Sequence, residues 1–388
     1  MTTAWPKVSL GETCTFQNGG TPSRTVAAYF DGEIPWLTGA DIEGSSAGAC
    51  RTFLTDAGIK ESPACVVPEG TILLVTRTGV GKVAIANRAL SFSQDITALT
   101  PDPTQLDRRY LLRFLQTEAD RFKAESRGAT IQGVTREVVA STKIPLPPLD
   151  EQRRIAAILD KADEVRSKRK AALETLETLS QAIFIDMFGD PVANPKRWPQ
   201  VEISSLVNSV ETWNPKSDLG REFTYIDVSS VDRYSKTVTG ATSLECSSAP
   251  SRAKQLVRDG DVLVSTVRPN LNGVALITSE LNGATASTGF TVLRPKQGVL
   301  ASQYLFEWVK SPVFIERLMR QATGASYPAV SDRIIKSETL LLPSIDAQLE
   351  FTSRMTHVSK FAMTARLQAM AAENLYSSIQ QRAFQGTL

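Results

Sequence analysis

A chain of 388 residues, 42% hydrophobic and 22% charged, is long enough for two or three domains with their own cores, and its composition is not that of a disordered or low-complexity polymer. Its net charge of +2 provides no uniform attraction to nucleic acid or to an anionic membrane, so any nucleic-acid contact must rest on local clusters of cations. Cys14, Cys50, Cys65 and Cys246 lack metal-ligand spacing, which argues against a cysteine zinc site and for reduced thiols.

The predicted elements fall into four segments. Residues 1–147 alternate short strand-like runs, such as Ile72-Leu73-Leu74-Val75 and Val83-Ala84-Ile85-Ala86, with Gly, Pro and Ser turns; one helical stretch, Arg108 to Leu115, interrupts them. This is an α+β pattern. Residues 148–190 hold a long helix, with Asp150 as the expected N-cap and Gly189-Asp190-Pro191 as the stop. Its apolar stripe is Ile155, Ala162, Leu176 and Ile183, with Leu159, Val165, Leu173, Leu179 and Met187 alternating. Residues 191–343 repeat the α+β pattern. Residues 344–388 hold a second long helix with Phe351, Val358, Ala365, Ala372 and Ile379 in one row, and Met355, Ala362, Ala369 and Leu375 beside it.

The second half repeats the first. Gly128-Ala129-Thr130, Asp150 and Phe188 recur as Gly324-Ala325-Ser326, Asp346 and Phe384; 324 − 128, 346 − 150 and 384 − 188 all equal 196. Trp5-Pro6 recurs as Trp198-Pro199, and Gly70 to Arg77 as Gly260 to Arg268, at smaller offsets. Such a repeat is far longer than a solenoid unit and reads as a duplication. Each helix exposes an apolar stripe that needs a partner. Pairing the two antiparallel gives a coiled-coil spacer between two pseudo-symmetric globular domains, an arrangement suited to a two-fold target such as duplex DNA.

Residues suited to DNA cluster where strands end. Arg77, Thr78 and Lys82 lie in one loop; Arg268, Asn270 and Asn272 lie in its counterpart. Arginine suits guanine and asparagine suits adenine in the major groove. Arg88, Gln132 and Tyr327 are further candidates, as are Arg24, Arg51, Arg127, Lys216, Arg221, Arg233 and Lys254. Residues 76–83 look like a phosphate-binding loop but have Thr76 where the motif needs Gly, and Val83 where it needs Ser or Thr. With His357 as the single histidine, a catalytic triad or His-rich metal site is not expected. Asn-Pro-Pro-Tyr, Asp-Pro-Pro-Tyr and Glu-x-Lys stretches are absent. These features suggest a DNA reader rather than an enzyme. From residues alone, a DNA-reading adaptor for some other effector, an enzyme with an unrecognised site and a coiled-coil scaffold remain alternatives. With no charged-then-apolar leader and no apolar run near ~20 residues, a cytoplasmic protein without membrane contact is expected.

The run Ile144-Pro145-Leu146-Pro147-Pro148-Leu149-Asp150-Glu151-Gln152, continued by Arg153-Arg154-Ile155-Ala156-Ala157-Ile158-Leu159, together with the duplicated domain–helix order, resembles the specificity subunit of type I restriction–modification systems over the whole chain. The resemblance implies two target-recognition domains, 1–147 and 191–343, each reading half of a bipartite asymmetric DNA site. It implies conserved helices, 148–190 and 344–388, that space the half-sites and dock two modification subunits. Asp150, Gln152, Ile155, Leu159, Leu176, Asp346, Gln348, Phe351, Val358 and Ile379 would then be spacer and docking positions. Further implied are restriction subunits as partners, adenine-N6 methylation performed by the complex, no cofactor or metal in this chain, and S-adenosylmethionine, ATP and Mg²⁺ on the partners. The second copy, with Ala347 where the first has Glu151, departs from the motif.

Overall fold

The computed structural model describes residues 5–126, 133–324 and 326–388. Arg127, the Gly128-Ala129-Thr130 step and Gln132 lie outside them. The chain forms two compact units. One comprises Met1–Lys170 and Gln368–Leu388, the other Ala171–Leu367. Each is an α+β domain carrying half of each long helix.

In the first unit a five-stranded sheet runs Cys14–Asn18, Ile96–Pro101, Ile72–Val75, Val83–Ala86, Ser46–Ala47. A second sheet runs Thr52–Leu54, Phe30–Leu37, Leu90–Phe92, Val66–Val67. Alternation along Ile72–Val75 explains how both faces are used: Ile72 and Leu74 join a core beneath the helices, whereas Leu73 and Val75 join Leu37 and Phe92 between the sheets. The second unit repeats this plan. Its sheets run Val207–Asn208, Phe290–Pro295, Val262–Ser265, Val274–Leu276 and Thr242–Glu245, Glu222–Ile226, Thr285–Ser287, Ala253–Leu256. Val262 and Val264 face the helices, and Leu263 faces the other sheet. Even the one parallel pairing of the second sheet recurs, Trp36 opposite Ser91 and Tyr225 opposite Thr285.

Both domains are closed in the same way. Lys7–Ser9 pairs antiparallel with Lys143–Pro145, and Gln200–Glu202 with Thr339–Leu341. Beyond each pair the Leu146 and Leu342 amides donate to the Pro6 and Pro199 carbonyls, both at 2.8 Å. The expected helix at Arg108 is present as Arg108–Thr117, capped by Asp107, whose carboxylate accepts from the Arg109 and Tyr110 amides.

The first long helix is Leu149–Phe188 and the second Ile345–Gln385. Asp150 is not the N-cap. The Pro148 carbonyl already accepts the Glu151 and Gln152 amides, so the helix is under way at Leu149 and Asp150 stands exposed in its first turn. The stripes also need correction. Val165, Leu179 and Leu375 are exposed; Ser180 and Tyr376 take the buried places one residue later. The row 372, 376, 379, 383 keeps a four–three spacing that 375 breaks. Within the first unit the beginning of the first helix packs beside the end of the second, with Ile155 and Leu159 sharing a core with Tyr376 and Ala383. Within the second unit the ends exchange roles, and Phe184 and Phe188 pack on Phe351. Leu176 and Ile379 are half-buried.

Gln152 and Gln348 are fully buried and do not face a partner. The Gln152 side-chain oxygen accepts from the Asp107 amide at 2.8 Å, and its nitrogen donates to the Gln105 and Pro147 carbonyls, both at 2.8 Å. Gln348 does the same with the Ala301 amide and the Val299 and Pro343 carbonyls. Each is a clamp between the long helix and its own domain.

Candidate nucleic-acid interface

In both units the candidate residues collect where the Ile72–Val75 and Val262–Ser265 strands end. The return connections are held by main-chain bonds at equivalent places. The Val134 amide donates to the Thr76 carbonyl at 2.9 Å, and the Val330 amide to the Thr266 carbonyl at 2.9 Å. Arg77 bridges to Gly133, and Val267 to Ala329.

In the first unit residues 76–82 form a tight connection. The Gly81 amide donates to the Val75 carbonyl, and the Val75 amide to the Lys82 carbonyl. Thr78, Gly79 and Gly81 all have positive φ, 45°, 107° and 93°. For threonine, with its branched Cβ, that conformation is unfavourable and persists only where surroundings enforce it. Arg77 and Thr78 are exposed. Lys82 is exposed too, and its ammonium donates to the Gly39 carbonyl at 3.2 Å. The strand Val83–Ala86 follows this loop, whereas a phosphate-binding loop relies on the N-terminus of a following helix. Beside it, Asp41 accepts from the Thr38 amide and hydroxyl and from Arg51. Burial would raise the Asp41 carboxyl, but these Thr38 and Arg51 contacts hold it below its usual value. Arg88 is not part of the cluster. It follows Val83–Ala86, at the opposite end of the hairpin, and donates to the Gly48 carbonyl.

In the second unit the connection 266–273 includes Arg268 and Asn272, both at φ 50°. The Arg268 amide donates to the Pro328 carbonyl at 2.7 Å, and its guanidinium lies 4.2 Å from the centre of the Tyr327 ring. Tyr327 is 67% exposed, so it presents one face to solvent with a cation on the other. Asn270 is exposed. Asn272 is not available for a base: its amide nitrogen donates to the Lys310 carbonyl at 3.0 Å. It positions the loop. Asp150 and Asp346 are exposed on their helices, whereas Ile155, Leu159, Phe351 and Val358 are core residues.

Sequence reasoning named Arg233 but missed Tyr234 and Lys236 beside it. Val231–Asp232 and Thr237–Val238 pair as a hairpin around residues 233–236. The Lys236 ammonium donates to the Asn272 carbonyl at 2.6 Å, which joins this hairpin to the 266–273 connection. Two short β-prone pairs around four polar residues, opened by an aspartate, were the available signal. Among the described residues no group of His, Cys, Asp and Glu is placed to hold a metal ion, and no helix is long and apolar enough to cross a membrane.

Residues 3–177 match the family model described as the Type I restriction modification DNA specificity domain. The chain is 31% identical over 176 residues to the Type I restriction enzyme MjaIX specificity subunit of Methanocaldococcus jannaschii, a match spanning 44% of this chain and 41% of that subunit. With the MjaVIII specificity subunit of the same organism it shares 21% identity across 99% of this chain and 93% of the other. The fold matches the crystal structure of a type I restriction–modification S subunit from M. genitalium with a TM-score of 0.59, at 15% identity, over 98% of this chain and 96% of that one.

Proposed function

We propose, from the premise that the chain belongs to the family of type I restriction–modification specificity subunits, that it reads a bipartite, asymmetric DNA site, one half-site per unit. One observation carries the reading. Two domains of one plan present their strand-end connections at equivalent places, and the side chains there differ: Arg77 and Thr78 in one, Arg268, Asn270 and Tyr327 in the other. A shared frame with different donors is what an asymmetric target demands, since base edges in the major groove are told apart by donor and acceptor pattern.

In this reading the chain itself is not a catalyst. Two modification subunits dock on the exposed faces of the long helices and methylate adenine N6 with S-adenosylmethionine. Restriction subunits supply ATP- and Mg²⁺-dependent cleavage. The helices set the gap between half-sites.

The test is competition binding by the full chain assembled with its modification subunits, over a range of salt. The expected result is a bipartite site preferred over random duplex by 10³-fold or more, on the usual scale of specific recognition. Arg268→Ala should relax one half-site and leave the other unchanged. A complex that binds all duplexes equally overturns the reading.

A further inference from the structure

We propose that the hairpin Val231–Val238 is a second reading element of the second unit, which enters the major groove and sets Tyr234 against base edges. The inference rests on the DNA-reading function proposed above, and adds an element that the first unit lacks.

The hairpin is an addition to the shared plan. In the first unit, Leu37 leads through the turn Thr38–Asp41, which is also closed by a side chain, and Ile42 into three residues, Glu43-Gly44-Ser45, and then Ser46–Ala47, which pairs parallel with Val83–Ala86 at the edge of the sheet. In the second unit the corresponding stretch after Ile226 makes a capped turn at Asp227–Ser230 and then the hairpin. Its return strand, Thr237–Val238, contacts Val274–Leu276 without joining that sheet. A core-building role would call for a buried tip. The tip is instead solvent-facing: Tyr234 is 76% exposed, more than any other large hydrophobic residue among those described.

The tip is also preorganised. The Asp232 carboxylate accepts from the Tyr234 amide at 2.8 Å and the Ser235 amide at 2.7 Å, and the Lys236 amide donates to the Asp232 carbonyl. Lys236 takes the left-handed conformation, φ 55°, that closes the turn. These bonds fix the loop before any ligand arrives and so reduce the entropy cost of docking. Arg233 lies 5.2 Å from the centre of the Tyr234 ring. An exposed aromatic backed by a guanidinium recurs next door in Arg268 and Tyr327.

Position selects the occupant. The Lys236–Asn272 bond places the tip beside the connection that carries Arg268 and Asn270, so the two elements form one continuous surface. Two Arg–Tyr pairs give it positive charge and flat apolar faces, a combination suited to a phosphate-flanked row of bases. The major groove is about 12 Å wide and admits a two-stranded β-ribbon. Within it, Tyr234 reaches a base edge, for which the thymine methyl is the apolar match, and Arg233 a phosphate or guanine.

The experiment is methylation of a random-sequence duplex library by the full chain with its modification subunits, read by sequencing the modified sites. Tyr234→Ala should weaken discrimination about tenfold at one or two adjacent base pairs of one half-site, the scale of one lost base-edge contact. The other half-site should be unchanged. Tyr234→Phe, which keeps the ring, should retain the parent profile, and Arg233→Gln should lower affinity and the salt dependence of binding. A parent-like profile for Tyr234→Ala, or a loss spread over both half-sites, overturns the inference. Arg268→Ala separates the two readings. If it relaxes a half-site while Tyr234→Ala does not, only the hairpin inference fails. If the parent complex shows no bipartite preference, the DNA-reading proposal fails as well.

Discussion

Single residues show where charge is structural and where it is left for a ligand. Asp261 is 1% exposed and is paired with Arg294 at 2.8 Å; its carboxylate also accepts the Arg258 amide. Arg294 in turn donates to the Leu256 carbonyl and to Glu211. Four of the five N–H donors of this guanidinium are therefore used inside the unit, and its charge is committed to Asp261 and Glu211. Replacing it with Met keeps most of the volume but strands a buried carboxylate. Arg294→Met should destabilise the protein by about 3–5 kcal/mol, the cost of an uncompensated buried charge, measured by chemical denaturation. The first unit commits an arginine at another place in the fold: Arg113, on the helix Arg108–Thr117, is buried against Asp160, Asp163 and Gln116, all within 3.0 Å. By contrast, the Arg268 guanidinium lies on Tyr327 at the surface.

At the scale of elements, the helix clamps do more than the stripes to fix the architecture. Each buried glutamine satisfies one amide and two carbonyls that belong to two separate pieces of chain, 105–107 and Pro147 for Gln152, 299–301 and Pro343 for Gln348. Tyr110 and Tyr304 reinforce them, with hydroxyls donating to the Pro145 and Leu341 carbonyls. Gln152→Ala should lower stability by about 1–3 kcal/mol through the groups left unsatisfied, and Gln152→Glu should do at least as much harm, because two carbonyls would then face an acceptor. Equal stability of Gln152→Glu and the parent by thermal unfolding would contradict the clamp. Much of this level was legible in the letters. The strand runs at Ile72 and Val262 and the two long helices follow from period and stop signals. The resemblance makes the glutamines spacer and docking positions, and nothing local to Gln152 announces that Gln105 and Asp107 fold back against it. The sevenfold row Met355, Ala362, Ala369 continues at Tyr376, which is buried, and Leu375 falls one residue short of it and is exposed. The Arg–Tyr stack at Arg268 could not be seen either: Tyr327 is distant in sequence and arrives through the Val267–Ala329 bridge.

For the whole molecule, the duplication explains both likeness and difference. Counterparts stand 190 positions apart at Thr76 and Thr266, 194 at Tyr110 and Tyr304, and 196 at Gln152 and Gln348. Length differences therefore accumulate inside the domains and end ahead of the helices, the offset being 196 already at Gly128 and Gly324. The helices run from one unit into the other, and their length bears on the proposed gap between half-sites. Inserting four residues, about one turn and ~5.4 Å, into either helix should shift the preferred gap by about one or two base pairs, read from the same library of modified sites. An unchanged gap would separate the helices from that role.

The strand pairs that close each domain have a consequence for how such chains change. Lys7–Ser9 lies against Lys143–Pro145, and Gln200–Glu202 against Thr339–Leu341, so each domain's first and last strands are neighbours at a single ladder. Everything that differs between the two strand-end surfaces proposed to read DNA hangs beyond that ladder, as a closed loop of chain. A segment whose two ends meet can be exchanged for another of different length and internal sequence while the flanking helices keep their register. The expected consequence is that the domain can be exchanged as a cassette, so that crossovers placed within those ladders carry the complete surface proposed to read DNA from one chain to another.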